Sequence, residues 1–111
     1  MDALNQAGAL VMIALGGMGL FFPETAARFV SVAPVGKLGK SELRATYGGF
    51  FLALGLGCIV LGSPEVYRVI GIAWLGAAIG RTISIAVDRS VSYKNFGGVF
   101  FEAAIGGALS V

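Results

Sequence analysis

The sequence predicts an all-α, polytopic membrane protein, a four-helix bundle with a short interfacial helix after the first transmembrane helix. Three observations carry that expectation. Hydrophobic residues make up 57% of the 111-residue chain and charged residues only 13%, about half the charge of an ordinary soluble domain. Mean hydropathy is +0.87. Four apolar segments, each about long enough to cross a hydrocarbon core of ~30 Å, take up nearly the whole chain and leave no room for a soluble domain. The expected organisation is a single transmembrane domain over 1–111, with helices at about 3–22, 41–62, 64–87 and 93–110.

Each element has a local reason. Ala3 to Phe22 run without a charge, too long for a signal-peptide core, and Met1 and Asp2 bring no basic side chain, so this segment is expected to remain as a transmembrane helix. Pro23 ends it. Proline also suits the first position of a short surface helix through "PETAARFV", where its missing N–H is no loss and Glu24 lies at the positive helix end. Pro34, Gly36 and Gly39 in "SVAPVGKLGK" predict an irregular loop, with Ser41 as the N-cap of the second helix and Arg44 already in its first turns. In "GSPE", Gly62 closes that helix, Ser63 caps the third, Pro64 enters its first turn and Glu65 favours its positive end. So short a link predicts antiparallel neighbours. The third helix carries Arg68, Trp74 and Arg81; after "DRSVSYKN" a shorter fourth helix runs to Ser110, its interior broken in polarity only by Glu102.

Charge and composition bound the function. Arg28, Lys37, Lys40, Arg89 and Lys94, with Arg44 at the edge, fall on one side of the membrane and Arg68 stands alone on the other. The positive-inside rule therefore predicts longer loops in the cytoplasm and both termini outside it. The basic residues form no aromatic-interleaved stripe, which argues against nucleic-acid binding. The chain has no histidine and one cysteine, Cys58, set in an apolar segment, so no metal site, haem ligation, disulfide framework or other cofactor is expected.

Small residues predict the packing. Gly49, Ala53 and Gly57 recur every four residues on the second helix, Gly76, Gly80 and Ser84 on the third, and Gly98, Glu102 and Gly106 on the fourth. Such ridges let helix backbones approach closely in lipid, within one chain or between chains.

Arg81 lies seven residues before Asp88 and Glu102 eight after Lys94, which places both about 10–12 Å inside the same boundary at ~1.5 Å per residue. Their depths match. An unpaired arginine there costs at least ~2.5–3.5 kcal/mol, and a carboxylate recovers part of it through two parallel hydrogen bonds. An Arg81–Glu102 ion pair is expected. Arg81, Ser84 and Asp88 share a face of the third helix, and Arg44 and Tyr47 form a stripe on the second with Glu42 just before them. Together Glu42, Arg44, Tyr47, Arg81, Ser84, Asp88 and Glu102 are expected to form a polar layer, either a staple fixing helix register or a ligand site.

"SELRATYGG" at 41–49, "GRTISIAVD" at 80–88, the later Glu102 and "FFPE" closing the first helix resemble a bacterial membrane family known as domain of unknown function 4345. The resemblance implies a small four-helix protein of the bacterial inner (plasma) membrane, which with the charge bias makes both termini periplasmic, and it brings no activity, ligand or catalytic residue with it. A more distant likeness to DoxX-like proteins implies only a shared architecture. Small multidrug-resistance transporters have similar length, but they carry a glutamate in the first helix, and residues 3–22 hold none. With no nucleophile beside an evident base, an enzyme is not expected. The leading expectation is a packing or accessory subunit, of itself or of a larger membrane complex, in the lipid bilayer. The alternative is a transporter or a lipid-, quinone- or anion-binding protein using the Arg/Glu cluster.

Overall fold

The computed structural model describes residues 3–111; Met1 and Asp2, ahead of the first helix, lie outside the described residues. Among the described residues the chain is all-α, with no strand. Its helices are α1 (Ala3–Phe21), α2 (Pro23–Val30), α3 (Gly36–Leu61), α4 (Pro64–Val87) and α5 (Tyr93–Ser110). Three of them, α1, α3 and α4, are long and apolar enough to cross a membrane. Lys94, Asn95 and Glu102 leave α5 more polar than these three.

Local chemistry sets most boundaries. Pro23 and Pro64 each occupy the first turn of their helices, with Glu24 and Glu65 beside them at the positive ends. Gly62 takes the left-handed conformation, φ 66°, that ends α3. Ser63 has the extended backbone of an N-cap, but its hydroxyl bonds the Glu65 carboxylate at 2.6 Å and not a backbone N–H. Ser92 does cap in the usual way, its hydroxyl accepting from the Asn95 N–H at 3.1 Å.

The expected start of the second long helix at Ser41 is corrected. That helix begins at Gly36, and Ser41 lies inside it. Gly36 makes the turn at φ 63°, Gly39 donates its N–H to the Val35 carbonyl at 2.9 Å, and the bare Cα of Gly39 lies against Pro34. The residues that read as loop-formers thus start a helix, because they let the chain fold back tightly before it rises. From Leu43 to Phe50 the helix widens into π-helical turns, a form often found at irregular or functional places.

The chain divides into two compact units, one joining α1 up to Gly8 with Gly62–Val111, the other comprising Ala9–Leu61. In the first, α4 and α5 pack together, with Tyr67, Ala78, Ile105 and Leu109 buried. Gly71 and Gly106 sit at the crossing, where a Cβ on either would come within 2.9 Å of the other's carbonyl oxygen. In the second, α1 and α3 approach backbone to backbone: side chains at Gly16, Gly19, Gly48 or Gly55 would overlap main-chain atoms of the facing helix. Met12, Leu43 and Cys58 are buried in this unit, and α2 buries Pro23, Ala26 and Ala27.

The expected packing ridges divide into those that meet a neighbour within the chain and those that do not. Gly98 and Gly106 do meet neighbours, but side chains added at Gly57, Gly76 or Gly80 would meet nothing within 4 Å, and at Gly49 only its own helix's Arg44 carbonyl. Ala53 is exposed. Gly76 follows Gly71 by five residues, about 140° around the helix, so the regular ridge of α4 turns away from the face that packs on α5.

Candidate functional site

Asn95, Gly98 and Glu102 lie on one face of α5 at spacings of three and four, and that face is given over to a single side chain of α4. The Arg81 guanidinium donates from Nε to Glu102 Oε1 at 2.8 Å, from Nη2 to Oε2 at 3.0 Å, and from Nη1 to Asn95 Oδ1 at 3.0 Å. The two-point fork to a carboxylate is the strong geometry for arginine. Gly98 lies beneath it, and a Cβ there would be 2.8 Å from Arg81 Nε. Sequence spacing read Gly98 as a helix-packing residue; its absent side chain instead makes room for the guanidinium. The Glu102 side chain is 12% exposed and that of Arg81 36%.

Asn95 is the member that sequence reasoning missed. Its Nδ2 donates to both the carbonyl and the hydroxyl of Ser90 at 2.7 Å, its N–H is received by Ser92, and its Oδ1 accepts from Arg81. The residue therefore ties the α4–α5 link to the ion pair. A usable signal existed: Asn95 falls three residues before Gly98, on the face already marked by Gly98 and Glu102. Ser84 donates to Asp88 Oδ2 at 2.7 Å, so Asp88, exposed at the C-cap of α4, is held by its own helix.

The other three expected residues, Glu42, Arg44 and Tyr47, belong to the second unit. Arg44 donates to the Leu20 carbonyl. Carbonyls in the last turn of a helix lack intrahelical partners, and here Pro23 removes one more donor just beyond. Arg44 thus caps α1, its cation at the negative helix end. Tyr47 meets Phe51 edge to face, with ring centroids 5.9 Å apart. Glu42 is exposed.

A second missed amide does the same for α5. Asn5, buried in α1, donates from Nδ2 to the carbonyls of Ala108 at 2.8 Å and Leu109 at 3.2 Å, two of the orphan acceptors at the C-terminal end of α5. Among the described residues, no three of His, Cys, Asp and Glu come together as a metal-binding group.

The family described as Domain of unknown function (DUF4345) matches residues 3–111, which is nearly the whole chain. The chain belongs to that family. No curated protein and no solved structure matches it. The DUF4345 match takes in α1 through α5, so the Arg81–Asn95–Glu102 cluster and both carbonyl caps fall within the family's extent.

Proposed function

We propose that this DUF4345 chain is a polytopic bacterial inner-membrane protein, with α1, α3, α4 and α5 crossing the bilayer and α2 at its surface, that works by packing and not by catalysis. It serves as an accessory subunit, of itself or of a larger membrane complex. The observation that carries this reading is the closure of the Arg81 fork by the chain's own Glu102 and Asn95. A guanidinium already engaged at both Nη atoms and Nε fixes helix register; a site for an anionic solute needs those donors directed at a cavity. The outward face of α4, with Gly76 and Gly80 between exposed Ile72, Ile79 and Ile83, supplies a surface on which another membrane helix fits closely. On this reading the basic excess of Arg28, Lys37, Lys40, Arg89 and Lys94 faces the cytoplasm and both termini the periplasm.

Extraction of the tagged protein from its native membrane in mild detergent, followed by native mass spectrometry, tests the proposal. Recovery in a complex of defined stoichiometry is the expected result. A monomer carrying a solute or quinone that the Arg81→Gln variant loses would overturn it in favour of transport or ligand binding.

A further inference from the structure

The buried residues of α4, Tyr67, Gly71 and Ala78, turn to one side of the helix, where Gly71 meets α5. At about 100° per residue, Ile72, Gly76, Ile79, Gly80 and Ile83 share a face centred about 150° away from them. All five are exposed, the isoleucines by 62%, 61% and 56%.

Two opposite charges, Glu65 and Arg68, stand on that same face one turn apart. Glu65 accepts from the Ser63 hydroxyl at 2.6 Å, while Arg68 makes no hydrogen bond or ion pair among the described residues. The 24 residues of α4 extend about 36 Å against a hydrocarbon core of ~30 Å, so its first turn lies at the boundary and the isoleucines and glycines lie inside. Arg81 points elsewhere, to Glu102 and Asn95 of α5, and Asp88 at the C-cap is held by Ser84.

Charge selects the occupant. A face with one sign of charge repels its own copy, but this one carries both signs. In a two-fold dimer residue i of one copy meets j of the other and j meets i, so Glu65 lies against the partner's Arg68 twice. Copies inserted the same way in one membrane run parallel, which brings these charges to matching depth while Gly76 and Gly80 let the two backbones approach.

We propose that the partner on this face is a second copy of the chain, packed α4 to α4 about a two-fold axis along the membrane normal. This rests on the packing role and names its partner; lipid is the competing cover.

For the test, the full chain carrying either of two tags of different mass is reconstituted by itself in phosphatidylcholine vesicles and released for native mass spectrometry. Mixed-tag dimers should form. Glu65→Arg and Arg68→Glu should each weaken self-association about tenfold by setting like charges against each other twice, whereas an equal mixture of the two variants should dimerise as the native chain does. Gly76→Ile/Gly80→Ile should leave monomers of unchanged melting temperature. A monomeric native chain, dimers indifferent to either charge reversal, or variants that mixing does not restore would overturn the second copy as partner. Recovery from native membranes with foreign subunits alone would do the same and leave the packing role standing. The packing role itself fails by a different result, a bound solute that Arg81→Gln loses.

Discussion

Arg81 of α4 lies across the bare backbone of Gly98 on α5, its guanidinium held there by Glu102 and Asn95. The glycine is therefore tied to the ion pair and not to helix conformation. In a helix interior, replacing glycine with alanine normally gains about 1 kcal/mol. Here the methyl group presses on a guanidinium pinned at three points, so Gly98→Ala should destabilise the native chain. In an Arg81→Ala/Glu102→Ala background the same change should stabilise. Thermal unfolding in detergent checks that reversal of sign.

Breaking the pair from either side leaves a charge in apolar surroundings, which costs more than replacing both partners. Arg81→Met and Glu102→Leu should each lower stability by about 2 kcal/mol, a loss that solvent screening at the partly exposed Arg81 keeps below that of a fully buried pair. The double variant should lose less than the sum. A double-mutant cycle measured by chemical denaturation gives the coupling, and strict additivity would remove the staple from the account.

Asn5 serves the far end of α5, where its amide satisfies two carbonyls that the helix cannot. Asn5→Leu keeps the volume and removes the donor, at an expected loss of about 1–3 kcal/mol. Because the unsatisfied groups are local, amide exchange should accelerate at residues 105–111 before the rest of the chain responds. Hydrogen–deuterium exchange resolved by residue reads that order.

What was legible in the sequence follows from how local each cause is. Pro23, Gly62 and Pro64 act on their own backbone, and the helix ends they mark lie where expected. Arg81 and Glu102 were legible for another reason: a charge at membrane depth demands an opposite one, and only one carboxylate lay at the same depth. Asn5 and Asn95 were not, because neutral amides call for no specific counterpart and helix-end carbonyls or serines occur throughout the chain. The start of α3 was hidden because the fit of Gly39 on Pro34 exists only once the chain has folded back. The glycine ridges were legible as faces alone: Gly98 and Gly106 meet α4 within the chain, whereas side chains at Gly57, Gly76 and Gly80 would meet nothing within 4 Å among the described residues. Spacing shows that residues share a face, but not what the face meets.

The Glu24–Lys40 pair, at 2.6 Å, links α2 to the start of α3 at the surface. The hydrogen bond from Lys40 holds the Glu24 carboxyl below its ordinary value of 4.5. A carboxylate with a depressed folded-state pKa adds stability above its unfolded value and loses it as pH falls through the folded one. Melting temperature should accordingly decline below about pH 4.5, and Glu24→Gln should lower the neutral-pH plateau slightly and decline correspondingly less, so that the two proteins converge at low pH. A pH series of thermal melts of both proteins measures the difference.

Gly71 and Gly76 separate packing within the chain from packing with another. At Gly71 a methyl group would overlap the Ser110 hydroxyl and come 2.8 Å from the Gly106 carbonyl, a backbone atom that cannot swing aside. Gly71→Ala should therefore cost about 1–3 kcal/mol through forced separation of α4 and α5. At Gly76 and Gly80 the same change meets open space, so in the isolated chain it should be neutral or stabilising by helix propensity alone. If the outward face of α4 seats a partner helix, the Gly76→Ile/Gly80→Ile variant must lose that partner while its own melting temperature holds. Cross-linking in native membranes followed by mass analysis reads the loss, and an unchanged complex would move the interface to another face.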